Sequence, residues 1–378
     1  AICQAQKEGW SKETIGSHII RNCHIHHCGQ TGIVGHLGGV FSLIEGNHIH
    51  NINNKQDLAG AEIGGIKMHA AIDCIYRKNE IHHCTRGLWL DWQAQGTRVT
   101  QNLFYENTPP LGTVFGDDVL AVGEDIFVEV SHGPTLIDHN FLLSKASLRL
   151  PTQGCAIVHN MIAGSLTCIG KGTDNGGVEF PTPRYTPYHF PHETAVAGFM
   201  TILHGDMRFY NNLFIQQPIR PDLERFAEEK SNGEIQYVCG TVPYEAYPTY
   251  EEYARRFEDI KPMDSKDRDR FYDHLPVYYE GNIYFNGAKP CSKEMDAVVD
   301  KEHEITFSIE KTEGEANVVS NVFDLIQSMD CKMITSENLG YAFEPEQRFE
   351  APDGKEIVCD IDYNGAKKTM NCPGPIGR

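Results

Sequence analysis

The stretch "GLWLDWQAQG", residues 87–96, sets Asp91 between two tryptophans in an otherwise apolar run. Desolvating a carboxylate there is costly unless the group is paired or exposed. A second such stretch, "EDIFVEV" at 124–130, places Glu129 one residue from its apolar end. Asp91 lies 11 residues before Asn102, and Glu129 lies 11 residues before Asn140. Two carboxyl groups at equivalent positions can divide the roles of nucleophile and general acid/base, provided the chain sets them side by side.

What could set them side by side is a repeat. An alternating apolar stretch, then Asn, then another short alternating stretch recurs in "IIRNCHIHHC" (Asn22), "SLIEGNHIHNI" (Asn47), "CIYRKNEIHHC" (Asn79), "TRVTQNLFYEN" (Asn102), "TLIDHNFLLSK" (Asn140), "CAIVHNMIAGS" (Asn160), "RFYNNLFIQQ" (Asn212) and "VYYEGNIYFNG" (Asn282). The successive spacings are 25, 32, 23, 38, 20, 52 and 70 residues. The short ones match one coil of a right-handed parallel β-helix, three strands and three turns, and the long ones add insertions. Asn suits the corner because it tolerates the left-handed backbone region and bonds locally. An antiparallel sandwich would call for Asn-Gly or Asp-Gly hairpin turns, which are scarce before residue 280.

Counting back from each corner gives the register. Leu90 and Trp92, Val128 and Val130, and Leu148 and Leu150 then face inward, while Asp91, Glu129 and Arg149 face outward in one column. Trp89 and Phe127 share that outer face, so the two acids would lie in an aromatic-lined cleft. Adjacent strands are about 4.7–4.9 Å apart. That step is close to the roughly 5–5.5 Å between the carboxyls of retaining glycosidases, and short of the roughly 6.5–9.5 Å of inverting ones. Stacked like charges are destabilising on a plain solvated face. Arg149, read as next in the column, would put a cation beside Glu129. The preceding coil does not keep the count: Asn79 minus 11 is Met68, flanked by the polar Lys67 and His69, so the register slips within "AGAEIGGIKMHAAIDC". Glu62, just before a glycine pair, is a candidate to enter the cleft, and the insertion "TPPLGTVFGDDVLAVGED" is long enough to wall it.

The formal net charge of -19 argues against nucleic acid and polyanionic ligands. A neutral sugar fits better, with three tryptophans, sixteen tyrosines and eighteen histidines to stack on it and bond to it. No apolar run reaches the roughly 20 residues of a membrane span, and the opening residues do not run from a basic stretch into an apolar one. The twelve cysteines are spread along the whole length, which favours reduced thiols and a cytoplasmic location. The first residue is Ala1, and residues upstream are expected to be absent.

"CHIHHC" (23–28) and "EIHHC" (80–84) have the look of zinc ligand clusters. His26 and Ile81 fall in repeated coil positions, however, and Cys28 and Cys84 follow their asparagines by 6 and 5 residues, which favours a structural role. The long loop "DNGGVEFPTPRYTPYHFPHE" (174–193) offers Tyr188 and His189 as sugar contacts. The domain reading is a β-helix over 1–216, a helical or irregular insertion over 217–275, a final coil over 276–288 and a β-sandwich region over 289–378, where alternating runs meet "PDG" and "YNG" turns.

"GAEIGGIKMHAAIDC", "TRGLWLDWQAQGTRVTQNLFYEN", "EDIFVEVSHGPTLIDHN", "RYTPYHFPHETAVAGFMTILHGDMRFYNN" and "GYAFEPEQRFEAPDG" resemble glycoside hydrolase family 120, β-xylosidases built on a right-handed parallel β-helix with an associated β-sandwich region. The resemblance implies a retaining mechanism with Asp91 as nucleophile and Glu129 as acid/base. It also implies a xylo-oligosaccharide substrate and a homo-oligomer, with no cofactor. The site residues so expected are Asp91 and Glu129, with Glu62, Trp89, Arg149, Tyr188 and His189 around the sugar, and no metal. Two other classes compete. A calcium-dependent polysaccharide lyase would use the outward column Asp91, Glu129 and Arg149 to hold the ion and abstract a proton. A non-catalytic carbohydrate-binding β-helix would use the same cleft without turnover.

Overall fold

The computed structural model describes residues 2–58, 62–108, 123–168, 184–218, 238–259, 270–312 and 314–377. The fold is all-β, a right-handed parallel β-helix. Each coil runs through three sheets in turn. The first sheet holds eight parallel strands, from Ile19–Arg21 to Val277–Glu280, and the second nine, from His24–His26 to Val298–Val299, among the described residues. The third sheet has six, Thr31–Gly35, Gly64–His69, Leu88–Asp91, Glu124–Glu129, Ala146–Arg149 and Ser165–Thr167.

Strand alternation fills the bore. Ile44, Tyr76, Val99, Ile137, Ile157 and Phe209 stack inward from the first sheet, and Ile66, Leu88, Ile126, Leu148 and Leu166 from the third. At the corner into the third sheet the coils approach closely. A Cβ on Gly87 would stand 2.4 Å from the Asp125 carbonyl oxygen, so only glycine fits there.

The asparagines form a buried ladder. Side-chain amides of Asn47, Asn79, Asn102, Asn140, Asn160 and Asn212 each donate to the carbonyl oxygen of the next ladder side chain, ending at Asn282, over 2.9–3.1 Å. The left-handed residue is the one before the ladder Asn: Gly46, Lys78, Gln101, His139, His159, Asn211 and Gly281 all have positive φ. This corrects the first copy. Asn22 has φ 54° and aligns with Gly46, so Cys23, whose amide donates to Asn47 Oδ1, holds the ladder position. Counted from Cys23, Cys28 comes at the same interval as Cys84 does from Asn79.

Each inner rung of the ladder is buried, so a break strands donors. Asn140 Oδ1 accepts from both the backbone and the side-chain amide of Asn102. Asn140→Ala is expected to cost roughly 3 kcal/mol, the scale of an unsatisfied buried group plus its lost bonds. A lowered urea midpoint with unchanged slope checks this; no change would mean that water replaces the amide.

Over 289–378 the pattern predicts a β-sandwich, and the structure differs. Among the described residues this segment holds Val298–Val299, which extends the second sheet of the β-helix, one two-stranded hairpin, Phe307–Thr312 with Glu315–Ser320, the short helices Val322–Ile326 and Ser336–Leu339, and isolated bridges. Its apolar residues find partners on the outside of the coils instead of on a second sheet. Ile305, Val322 and Ile326 cover Leu103, Phe141 and Met161, while Leu339, Phe349 and Ile357 cover Leu136, Ala156 and Val158. The turns at Gly354 and Gly365 are present, both with positive φ. Val277–Glu280 and Ile283–Phe285 stack on the coil before them, and Val298–Val299 pairs in parallel beyond Ile283–Phe285, so the stack continues past residue 288. In the insertion the described residues give a short helix, Tyr250–Arg255, with a capping box from Thr249. Among the described residues the cysteines are free thiols, and no helix is long and apolar enough to cross a membrane.

Candidate active site

The third sheet places the acids. Glu124–Glu129 pairs in parallel with Leu88–Asp91, and Glu129 is the register partner of Asp91. Phe127 is the partner of Trp89, and the two rings stack at 5.1 Å. Below Asp91 stands His69, and below Trp89 stands Lys67. The slip in that coil is therefore one residue: Met68 points into the bore opposite Leu90, and its polar neighbours join the outer face.

This outer face is covered. Asp91 is 6% exposed and Lys67 is fully buried. Lys67 Nζ lies 2.9 Å from Asp91 Oδ2, touches Glu62, and stands 4.8 Å from the Trp89 ring. His69 Nε2 is 3.4 Å from Asp91 Oδ2 and 3.6 Å from Glu62 Oε1. Glu62, His69 and Asp91 could by position hold a metal ion. The Lys67 ammonium already supplies a cation at their centre. Among the described residues Asp91 Oδ1 has no hydrogen-bond partner. Burial, and next the negative charge of Glu129, push the Asp91 carboxyl up to about 7, against the pull of Lys67.

Glu129 is held differently. Trp89 Nε1 donates to its Oε2 at 3.1 Å, and the Arg184 guanidinium contacts its Oε1. Arg184 also lies over the Trp92 ring, 5.1 Å from its centroid. Trp92 does not enter the core as strand alternation predicts. The strand ends at Asp91, and Trp92 and Gln93 both have positive φ, so the alternation stops one residue early.

Arg149 also departs from its expected column. It pairs with Phe127, not Glu129, and lies 4.6 Å from the Phe127 ring with Glu124 3.5 Å away. The cause is turn length. Thr135 aligns with Cys155, an offset of 20 in the first sheet, whereas Phe127 aligns with Arg149, an offset of 22 in the third. The turn after Glu129 is thus two residues longer than the next one, and counting back from Asn160 overshoots. The cation beside Glu129 is Arg184.

The structure brings together Glu62, Trp89, Asp91 and Glu129, and adds Lys67, His69, Trp92 and Arg184. It keeps His189 elsewhere. That ring is buried in a hairpin, Tyr185–His189 with Val196–Thr201, and its nitrogens meet the Thr194 carbonyl and Gln93 Oε1. Tyr188 packs edge-on against His132 at 5.5 Å in the same hairpin. The pairing shifts register between Tyr188 and His189, and the two side chains meet the coil corners at His132 and Gln93. Residues 109–122 of the expected wall and 174–183 of the long loop lie outside the described residues. Lys67 and His69 were open to a register count shifted by one residue. Arg184, which lies within the long loop in sequence, carries no signal of that kind.

With this geometry in view, residues 6–161 match a protein family described as "Right handed beta helix region". A solved structure, "The complex structure of XylC with xylose", is similar to this chain over 100% of its length, with 41% identity and a TM-score of 0.82. Both likenesses include the coils that carry the acids. The chain spans about half, 52%, of that protein's length. No curated protein matches.

Proposed function

We propose that this chain carries the active site of a retaining β-xylosidase, which releases xylose from the non-reducing end of xylo-oligosaccharides by double displacement. The observation that carries the reading is the register of Asp91 against Glu129, one sheet step apart on the covered face. One step, about 4.7–4.9 Å, suits a carboxylate that attacks carbon directly and leaves no gap for a water between acid and base. Likeness to a protein solved with xylose supports the sugar.

The residues divide the work as follows. Asp91 attacks the anomeric carbon through Oδ1, the oxygen with no partner among the described residues, while Lys67 holds Oδ2. Glu129 gives its proton to the leaving oxygen, and the aglycone departs. In the second half Glu129 takes a proton from water, whose oxygen bonds to the anomeric carbon as the Asp91 ester bond breaks. Trp89 positions Glu129 through its ring N–H and presents an aromatic face beside the reacting carbon.

The test is a panel of aryl glycosides, run with and without a chelator, with product stereochemistry followed from the first turnover. The β-xyloside is expected to be cleaved preferentially, to give β-xylose first, and to be indifferent to chelation. Initial α-xylose would replace the retaining mechanism with an inverting one. Calcium-dependent release of an unsaturated product would favour the lyase, and sugar binding without turnover the binding module.

A further inference from the structure

The second sheet carries a separate array of side chains on its outer face. His24, His48 and Glu80 form one column, and His26, His50 and His82 the next, with Tyr105 beyond His82. Within it, His48 Nε2 is 2.9 Å from His82 Nε2, and each of these nitrogens is 3.6 Å from Glu80 Oε1. A hydrogen bond between the imidazoles would explain the short side of this triangle. It would leave Glu80 beyond hydrogen-bond range of both rings. A tetrahedral ion with ligands at about 2.0–2.1 Å would draw its ligand atoms to roughly 3.3 Å from one another, between the observed short and long sides.

We propose that His48, Glu80 and His82 form a binding site for one divalent first-row transition-metal ion, zinc foremost, that fastens two successive coils on the face of the second sheet.

The surroundings suit ligands. Tyr105 Oη donates to Glu80 Oε1 at 2.6 Å, fixing the carboxylate. His82 Nδ1 meets His83 Nδ1 at 2.6 Å, and His83 Nε2 meets Glu106 at 2.9 Å. A carboxylate-backed relay of this kind orients a metal-binding imidazole and raises its basicity as a ligand. The His48 side chain is 33% exposed, which leaves a way in and an open fourth position for water. Two groups compete. Lys311 Nζ lies 3.8 Å from Glu80 Oε1, and His24 Nε2 lies 2.7 Å from His50 Nε2, in a second set that shares His48. The sequence shows only part of the site: "EIHHC" supplies Glu80 and His82, and His48 comes from the preceding coil, brought in by the parallel register. The proposal is independent of the hydrolase reading, which rests on the third sheet.

The test uses the full chain, free of any polyhistidine tag and stripped with a chelator, titrated with zinc against a chromophoric competitor. One zinc per chain and a raised Tm are expected. Glu80→Gln and His48→Gln should weaken binding by more than the roughly 10–100-fold expected for an outer partner, and Tyr105→Phe by about that amount. His24→Ala should leave stoichiometry and affinity unchanged. Because His48 is partly exposed and both replacements are conservative, circular dichroism of His48→Gln and Tyr105→Phe separates loss of site from loss of fold. Zinc bound no more tightly than by His48→Gln would overturn the site, as would binding that survives Glu80→Gln and disappears in His24→Ala.

Discussion

Asp91→Gly is expected to lower hydrolysis of an aryl β-xyloside by roughly 10⁴-fold or more, the scale of deleting one member of a set that acts as a unit. Added azide should restore turnover and give α-xylosyl azide. The glycine leaves a space below the anomeric carbon where the carboxylate stood, and a small anion there attacks once, from the same side, with a single inversion. Glu129 and its contacts to Trp89 and Arg184 remain in place to protonate the leaving group. The product's configuration is the decisive readout. If Glu129 were the nucleophile, azide would take the place of the water that Asp91 activates, and β-xylosyl azide would form after two inversions. Lys67, fully buried, would lose one of its anionic partners and keep Glu62. Asp91→Asn, which preserves shape, is therefore the companion variant: it should be as inactive without azide and melt close to the parent.

The coil was legible because its corner asks for one side chain. A buried amide that both donates and accepts along the axis leaves Asn at seven successive corners, Asn47 to Asn282, and the acids fall into register by counting from it. The count fails wherever a turn changes length. It misses by one before Asn79, which hid Lys67 and His69, and by two before Asn160, which put Arg149 beside the wrong residue. Asn22 misled for a related reason: the left-handed residue beside the ladder accepts Asn, Gly, Lys, Gln or His, so an asparagine there mimics the ladder itself. The sandwich expected over 289–378 fails at the level of partners. Alternation shows that a run has an apolar face, and does not say whether another sheet or the wall of the coil will cover it. Arg184 was out of reach because its approach to Glu129 depends on where a long loop returns.

Glu129→Gln is expected to split substrates by leaving group. Xylobiose, whose departing alkoxide needs a proton, should lose roughly 10²–10⁴-fold, the usual contribution of a general acid. A dinitrophenyl β-xyloside needs no such help; its first step should stay near the parent rate, and a burst of phenolate should precede slow release of xylose, since no base remains to activate water. The pH profile gives an independent check on the pairing. For the dinitrophenyl substrate, which needs no proton donor, attack requires only that Asp91 be ionised, and its carboxyl is held up at about 7, so the parent's kcat/KM on it should fall as pH drops through that value. After burial, the charge of Glu129 is the largest cause of that elevation. Removing it lowers the Asp91 pKa, keeps the nucleophile ionised further into acid, and moves the acid limb of the dinitrophenyl reaction to lower pH. An acid limb that stays put in Glu129→Gln would mean that the two carboxyls do not sense each other across the sheet step, and equal losses on both substrates would take the proton donor's role away from Glu129.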